Sequence, residues 1–121
     1  MAVGIVWIDM LRTDRREKAE RAAQMIRDPR VQHFHDPERR AGRAVAQSLG
    51  ADGPIAWDMY LFYPQDAAWE ADPPTPTQWI HQLWGRRWAD PSRYRRGKAL
   101  REALAEIAAG QLGGTLDDAG P

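Results

Sequence analysis

The sequence predicts an α/β fold, a small mixed β-sheet with helices on both faces. An uncharged apolar run at residues 3–8 has the composition of a strand that is buried on both faces. Two segments with helical apolar spacing follow it, separated by a short alternating stretch at residues 31–35, in the order expected of α/β units. An aromatic segment at residues 57–63 then alternates like a further strand.

The first helix is predicted from its capping residues and from the spacing of its small side chains. Asp14 and Glu17 form a capping box, and Asp28-Pro29 ends the helix because proline disfavours a helical residue before it. The residues that share its apolar face are Ala19, Ala22, Ala23 and Ile26. Small side chains on this face favour close packing against a sheet.

Capping chemistry also predicts the second helix and the elements around it. Asp36-Pro37 supplies an N-cap and a first helical proline, and Gly50 is a natural terminator. In the strand before it, Val31, His33 and His35 share one side. After the aromatic strand we expect a turn at residues 64–66 and a short antiparallel return strand at residues 68–70.

The last third of the chain is predicted to contain two more helices. Thr75 and Pro76 look like a helix start, and its apolar side would consist of Trp79, Ile80, Leu83 and Trp84. Asp90-Pro91 opens the final helix, which Gly110 ends. We therefore expect a single domain over residues 1–110 and a mobile tail over residues 111–121, which is rich in glycine and aspartate.

Composition excludes several classes of function. The chain has no cysteine, which excludes disulfides, thiol redox catalysis and cysteine-type zinc sites, and this fits a cytoplasmic protein. The formal net charge is zero, which argues against a nucleic-acid partner. No apolar run reaches the roughly 18 residues of a membrane helix, so we expect no membrane partner.

The order of short motifs resembles that of the thioredoxin-like superfamily, in particular its peroxiredoxin-like and thiol-disulfide oxidoreductase branches. The matching segments are residues 6–9, Phe34-His35-Asp36-Pro37, Leu49-Gly50, Gly53-Pro54 and residues 58–63. The resemblance covers residues 3 to about 70. The chain also resembles a group of uncharacterised bacterial thioredoxin-like proteins in Asp36-Pro37, Trp57-Asp58 and His81-Gln82-Leu83.

In that superfamily, a strand and the helix bearing a Cys-x-x-Cys pair precede the segment that this chain matches. The resemblance therefore implies a cysteine-free derivative that lacks the redox helix and leaves one sheet edge uncovered. An uncovered edge offers backbone groups to a partner. The C-terminal helices, a second copy or another chain can cover it, and we expect a homodimer.

Histidines and carboxylates supply one set of candidate site residues. His33 and His35 lie at i and i+2 of a strand, so a divalent transition metal can take both imidazoles, with His81 or Asp36 as a third ligand. Asp58 paired with His35 or His81 would form a catalytic acid–base site. Asp9 and Asp58 lie at strands, where a buried carboxylate needs a partner such as Arg12. The alternative interpretation is structural: half-exposed histidines and a capping aspartate, with no cofactor.

An aromatic and basic stretch supplies the other set. Its candidate interface residues are Trp79, Trp84, Arg87, Trp88 and Tyr94. Tryptophan, tyrosine and arginine are the usual anchors of protein interfaces, although the same residues can pack in a core or bind nucleic acid. The sequence thus predicts a non-catalytic domain that acts through protein binding or self-association. The alternative is a metal-binding protein or acid–base enzyme that uses the His/Asp cluster.

Overall fold

The computed structural model describes residues 3–10, 16–24 and 28–118, and within them the chain is mixed α/β with small sheets and three α-helices. The elements are β1 (Val3–Ile8), α1 (Arg16–Gln24), β2 (Val31–Asp36), α2 (Arg40–Ser48), β3 (Met59–Phe62), β4 (Gln78–His81), a 3₁₀ turn (Pro91–Arg93) and α3 (Gly97–Asp118). The chain divides into two compact units. The first draws on residues up to Trp57 and on Ala68–Thr75; the second draws on Asp58–Ala67 and on residues from Pro76 onward.

The first unit contains a parallel pair of strands. β1 pairs with β2 in a register that runs from Val3 opposite Val31 to Ile8 opposite Asp36. Both strands are confirmed, but the prediction that β1 is a central strand buried on both faces is wrong. β2 is its only strand neighbour among the described residues, and Val3 and Val6 are 40% and 38% exposed.

Asp36 caps α2 from a distance. The helix begins at Arg40, three residues later than the predicted start at Pro37. The buried Asp36 carboxylate still accepts the N–H groups of Arg40 (2.8 Å) and Gly42 (3.1 Å), which have no partner inside the helix. Gly50 ends the helix as predicted, in the left-handed region with φ +93°.

Close packing of α2 requires Gly42. A Cβ there would lie 2.6 Å from Ile55 Cγ2 and 3.0 Å from the Ala56 carbonyl oxygen. The Ala56 N–H in turn donates to the Gly42 carbonyl at 2.9 Å. Val45, Ala46 and Ala56 are buried and form the core of this unit. α1 and α2 each contact β2.

The second unit contains an antiparallel pair of strands. β3 pairs with β4, with Met59 opposite His81 and Phe62 opposite Gln78. The helix predicted from Thr75 is therefore wrong, and so is the return strand predicted at residues 68–70, because β4 is the segment that pairs with β3. The predicted single mixed sheet is replaced by two sheets of two strands each in the described residues.

The remaining boundaries differ in smaller ways. The Ala67 N–H donates to the Pro64 carbonyl at 3.0 Å, which confirms the turn at residues 64–66. The Asp90 carboxylate accepts the Ser92 N–H at 3.0 Å but opens a 3₁₀ turn, and α3 begins later, at Gly97. The predicted end at Gly110 is wrong because α3 continues to Asp118.

Several sequence-based predictions are not tested by the structure. The capping residue Asp14, the apolar Ile26, the ion-pair candidate Arg12 and the end of the predicted tail (residues 119–121) lie outside the described residues. The single domain over residues 1–110 and the thioredoxin-like topology are likewise still predictions. No helix within the described residues combines the length and apolar character needed to cross a membrane.

Candidate functional site

An imidazole–carboxylate pair lies at the carboxyl ends of the two parallel strands. His35 Nε2 is 2.7 Å from Asp9 Oδ1, and the two side chains are 19% and 21% exposed. Asp9 directly follows β1, and its backbone N–H donates to the Asp36 carbonyl, so the strand ladder fixes its position. In α/β proteins this end of a parallel sheet is where ligands bind. The pair is therefore held in place and still reaches solvent.

Arg39 fixes the backbone beside this pair. Its Nε donates to the Asp9 carbonyl at 2.7 Å, and its Nη2 donates to the Met10 carbonyl at 3.3 Å. Arg39 itself has φ +60°, a conformation that residues with a side chain rarely adopt. The sequence indicated that Asp9 needed a partner and offered an arginine. In the structure, the Asp9 carboxylate bonds to His35, and the Asp9 backbone carbonyl accepts a hydrogen bond from Arg39.

His33 lies on the same face of β2 but takes part in a different contact. The Trp7 Nε1–H donates to His33 Nδ1 at 3.1 Å, and the two rings stack at 6.1 Å with an interplanar angle of 10°. Trp7 lies opposite His35 in the strand register, so the indole reaches diagonally to His33. The geometry gives His33 a packing role beside the Asp9–His35 pair.

His81 is the most deeply buried large side chain of the described residues, with 1% exposure. Its Nδ1 accepts the Leu83 N–H at 3.0 Å, and its Nε2 donates to the Asp90 carbonyl at 2.8 Å. Since Nδ1 accepts a hydrogen bond and Nε2 donates one, the ring is the neutral Nε2–H tautomer. Both nitrogens are therefore occupied by backbone, and neither is available to a metal or a substrate.

Asp58 and His81 belong to the same unit, but their side chains are not bonded to each other. Asp58 has φ +51° and is exposed, and its carbonyl accepts the Gln82 N–H at 2.9 Å. Desolvation by the surrounding protein raises the pKa of its carboxyl group. Within the second unit, the imidazole of His81 is bonded to Leu83 and Asp90, and Asp58 is not among its partners. The predicted acid–base pair of Asp58 and His81 is not formed.

The predicted metal cluster is not assembled in the described part of the chain. No group of three or more histidine, aspartate or glutamate side chains within residues 3–10, 16–24 and 28–118 could hold a metal ion. His33 and His35 bond to Trp7 and Asp9, and Asp36 is committed to the first turn of α2. Each candidate ligand thus has a structural partner of its own.

The predicted interface residues divide into packed and exposed groups. Trp79, Trp88 and Tyr94 are half-buried, whereas Trp84 is 81% exposed and Arg87 is exposed. The guanidinium of Arg93 lies 4.7 Å over the Trp79 ring, and the rings of Trp79 and Tyr94 flank His81 at 5.8 and 6.0 Å. The half-buried aromatics therefore build the second unit, and Trp84 and Arg87 face solvent.

Sequence reasoning missed two features of these sites. It did not pair Asp9 with His35, although the order of the elements contained the signal, because two parallel strands end at the same edge and their last polar residues meet there. It also missed the two backbone bonds of His81. No sequence signal identifies those partners, because they depend on the path of the loop that follows β4.

Comparison of the chain with protein-family models gave no match, and searches of curated proteins and of solved structures gave none either.

Proposed function

We propose that this chain is a non-catalytic, thioredoxin-like α/β domain that acts through protein binding, specifically by self-association along the outer edge of β1. The proposal rests on the composition and the pairing of β1. It is uncharged and apolar, and in the described residues it pairs on one side only, with β2. Parallel sheets of two strands rarely stand alone, because strands need neighbours on both edges or a cover.

The direction in which each backbone N–H of β1 points follows from the hydrogen bonds at the two ends of the strand. The Val3 N–H donates to the Arg30 carbonyl and the Asp9 N–H donates to the Asp36 carbonyl, so both point toward β2. Alternation along the strand sends Ile5 and Trp7 the same way. The N–H groups of Gly4, Val6 and Ile8 then point to the outer edge, where a further strand can pair with them.

An apolar surface lies beside this edge. Val6 and Phe34 are opposite each other in the strand register and therefore share one face, and Phe34 is 52% exposed. The Phe34 ring also covers Gly4, at 3.7 Å from where a Cβ would stand. A strand added to β1 would bury these side chains as well as pair the backbone.

The charges favour a second copy of this chain as the partner that pairs with the outer edge of β1. β1 lacks the charged and proline residues that usually prevent edges from pairing, and the whole chain has zero formal net charge, so two copies do not repel. Two β1 strands related by a twofold axis run antiparallel and form one sheet of four strands. Strand addition of this kind is a known mode of protein recognition.

The test is a substitution that blocks the outer edge and spares the β1–β2 ladder. Val6→Pro removes an outward N–H, and proline is tolerated where that group faces away from the paired strand. We expect the wild-type chain to sediment as a dimer and Val6→Pro to sediment as a monomer with an unchanged circular dichroism spectrum. Val6→Ala keeps the N–H and is the matched control, which we expect to remain dimeric. A monomeric wild-type chain at all concentrations would refute the proposal.

A second candidate function rests on the Asp9–His35 pair. If the carboxylate accepts the Nε2–H of His35, the lone pair of Nδ1 is left to act as a general base. Arg39 holds the backbone of Asp9, so the pair does not have to be assembled when a substrate arrives. This alternative is an acid–base enzyme, and its site is the carboxyl end of β1 and β2.

A further inference from the structure

We propose that the loop between β4 and the 3₁₀ turn, residues 82–90, is a docking site for an acidic segment of another protein. This site belongs to the second unit, whereas the self-association edge of β1 belongs to the first. Its contact residues are Trp84, Arg86 and Arg87.

One buried imidazole holds both ends of the loop. His81 accepts the N–H of Leu83 near the start and donates to the carbonyl of Asp90 at the end, at 3.0 and 2.8 Å. Leu83 and Ala89 are buried beside these bonds, with exposures of 4% and 0%. Within the loop, the Ala89 N–H donates to the Arg86 carbonyl at 3.2 Å. The loop is therefore held in one conformation before any partner binds.

The middle of the loop carries side chains that the unit does not use. Trp84 is 81% exposed, more than any other large apolar residue that the structure describes. Gly85 follows it with φ +74°, a conformation that glycine adopts without strain and that turns the chain at this point. Arg86 and Arg87 come next and are exposed. The loop thus exposes one indole and two guanidinium groups within four consecutive residues.

These side chains match an acidic peptide. Tryptophan and arginine are the residues most enriched in the energetic centres of interfaces, and the arginine fork bonds carboxylates with two hydrogen bonds. A loop already fixed in its bound form loses little conformational entropy when it binds. A protein partner with carboxylates around an apolar side chain would neutralise both arginines and cover the indole.

A nucleic acid fits this loop less well. Single-stranded nucleic acids stack successive bases on several aromatic rings along a positive groove. Here Trp79 is half-buried under the guanidinium of Arg93, and Trp88 is also half-buried, so of the three tryptophans in this stretch Trp84 alone is exposed. The zero net charge of the chain adds no long-range attraction for phosphates.

The experiment uses three labelled probes in fluorescence anisotropy titrations of the intact chain. The first is a peptide of repeated Asp-Glu-Leu-Leu, the second is its Lys-Lys-Leu-Leu counterpart, and the third is a single-stranded oligothymidylate. We expect saturable binding of the acidic peptide alone. Trp84→Ala and the double variant Arg86→Glu/Arg87→Glu should each weaken it by about tenfold or more. Higher salt should weaken binding further, because the contacts to carboxylates are exposed.

Matched variants separate this docking site from general effects. Trp69→Ala removes another exposed tryptophan, and Arg101→Glu reverses an exposed charge on α3; both should bind the acidic peptide like the wild-type chain. Val6→Pro should also bind it normally, which keeps this site distinct from self-association. Binding that is equal for wild type and the Trp84→Ala variant, or a preference for the oligothymidylate, would overturn the proposal, as would failure to bind the acidic peptide.

Discussion

Two histidines of this chain occupy opposite environments, one in each unit. His35 lies at a strand end with its Nε2 on the carboxylate of Asp9, and about a fifth of its side chain is exposed. His81 is buried with both nitrogens on backbone groups of one loop. The side chains are chemically identical, so the difference lies in their partners. A carboxylate stabilises an imidazole in either protonation state, whereas a backbone N–H on Nδ1 admits only the neutral ring.

Because their partners differ, His35 and His81 have different roles. The bond of His35 to Asp9 uses Nε2 alone, so Nδ1 remains for a substrate. His81 would lose its bond to Leu83 on protonation, so it acts as a structural link between β4 and the loop that follows. Residue type alone placed both in one candidate cluster; the identity of the hydrogen-bond partners separates them.

The largest expected effect comes from His81. His81→Phe keeps an aromatic ring between Trp79 and Tyr94 but leaves the Leu83 N–H and the Asp90 carbonyl without a side-chain partner. Because buried unpaired groups are costly, we expect a loss of about 2–5 kcal/mol in the free energy of unfolding. Chemical denaturation followed by tryptophan fluorescence measures it. His35→Phe is the matched variant and should cost about 1 kcal/mol. Equal losses for the two variants would break the comparison.

An intermediate effect is expected on the reactivity of His35. If the Asp9–His35 pair acts as a base, the chain should accelerate the hydrolysis of p-nitrophenyl acetate, in which water attacks the acyl carbon and the nitrophenolate leaves. His35→Gln should lower the rate to that of buffer, and Asp9→Asn should lower it by about tenfold because the orienting charge is lost. His33→Gln, on the same strand face, should leave the rate unchanged. No acceleration by the wild-type chain would remove the enzymatic alternative.

The first unit was more predictable from sequence than the second because its information is local. The uncharged run at residues 3–8 and the alternation of Val31, His33 and His35 predicted β1 and β2, and the structure confirms both. Asp36 was predicted to cap the second helix, and its carboxylate does accept two N–H groups of the first turn. The exposure of Val6 and Phe34 could not be foreseen, since it depends on what lies beyond the edge of β1.

The second unit shows where local spacing fails. Trp79, Ile80, Leu83 and Trp84 fit a helical face, yet residues 78–81 form a strand, because pairing with β3 outweighs the local pattern. The aromatic and β-branched pair Trp79-Ile80 was the signal in favour of a strand. Leu83 and Trp84 then differ in burial: Leu83 is buried and its backbone N–H donates to His81, whereas Trp84 is exposed to solvent.

The smallest expected effect concerns Asp58, a carboxylate that has no ion-pair partner among the described residues, whereas Asp9 is bonded to His35. Partial desolvation by the surrounding protein raises the pKa of Asp58 above its ordinary value of 3.8. The contribution of the protonated form to stability is therefore complete below about pH 3.8 and is lost as the pH rises through the folded-state pKa. Asparagine carries no charge and tolerates the positive φ at this position better than most residues. Asp58→Asn should therefore stabilise the chain at pH 7 by about 0.5 kcal/mol, and by less at pH 3, where the native carboxyl is also neutral.

Thermal unfolding at both pH values measures the difference. Asp52→Asn replaces an exposed carboxylate by its amide at a residue without positive φ and is the matched control. A gain for Asp58→Asn that is larger at pH 3 than at pH 7 would mean that the Asp58 carboxylate is stabilised by a cation after all, and the contrast with Asp9 would fail.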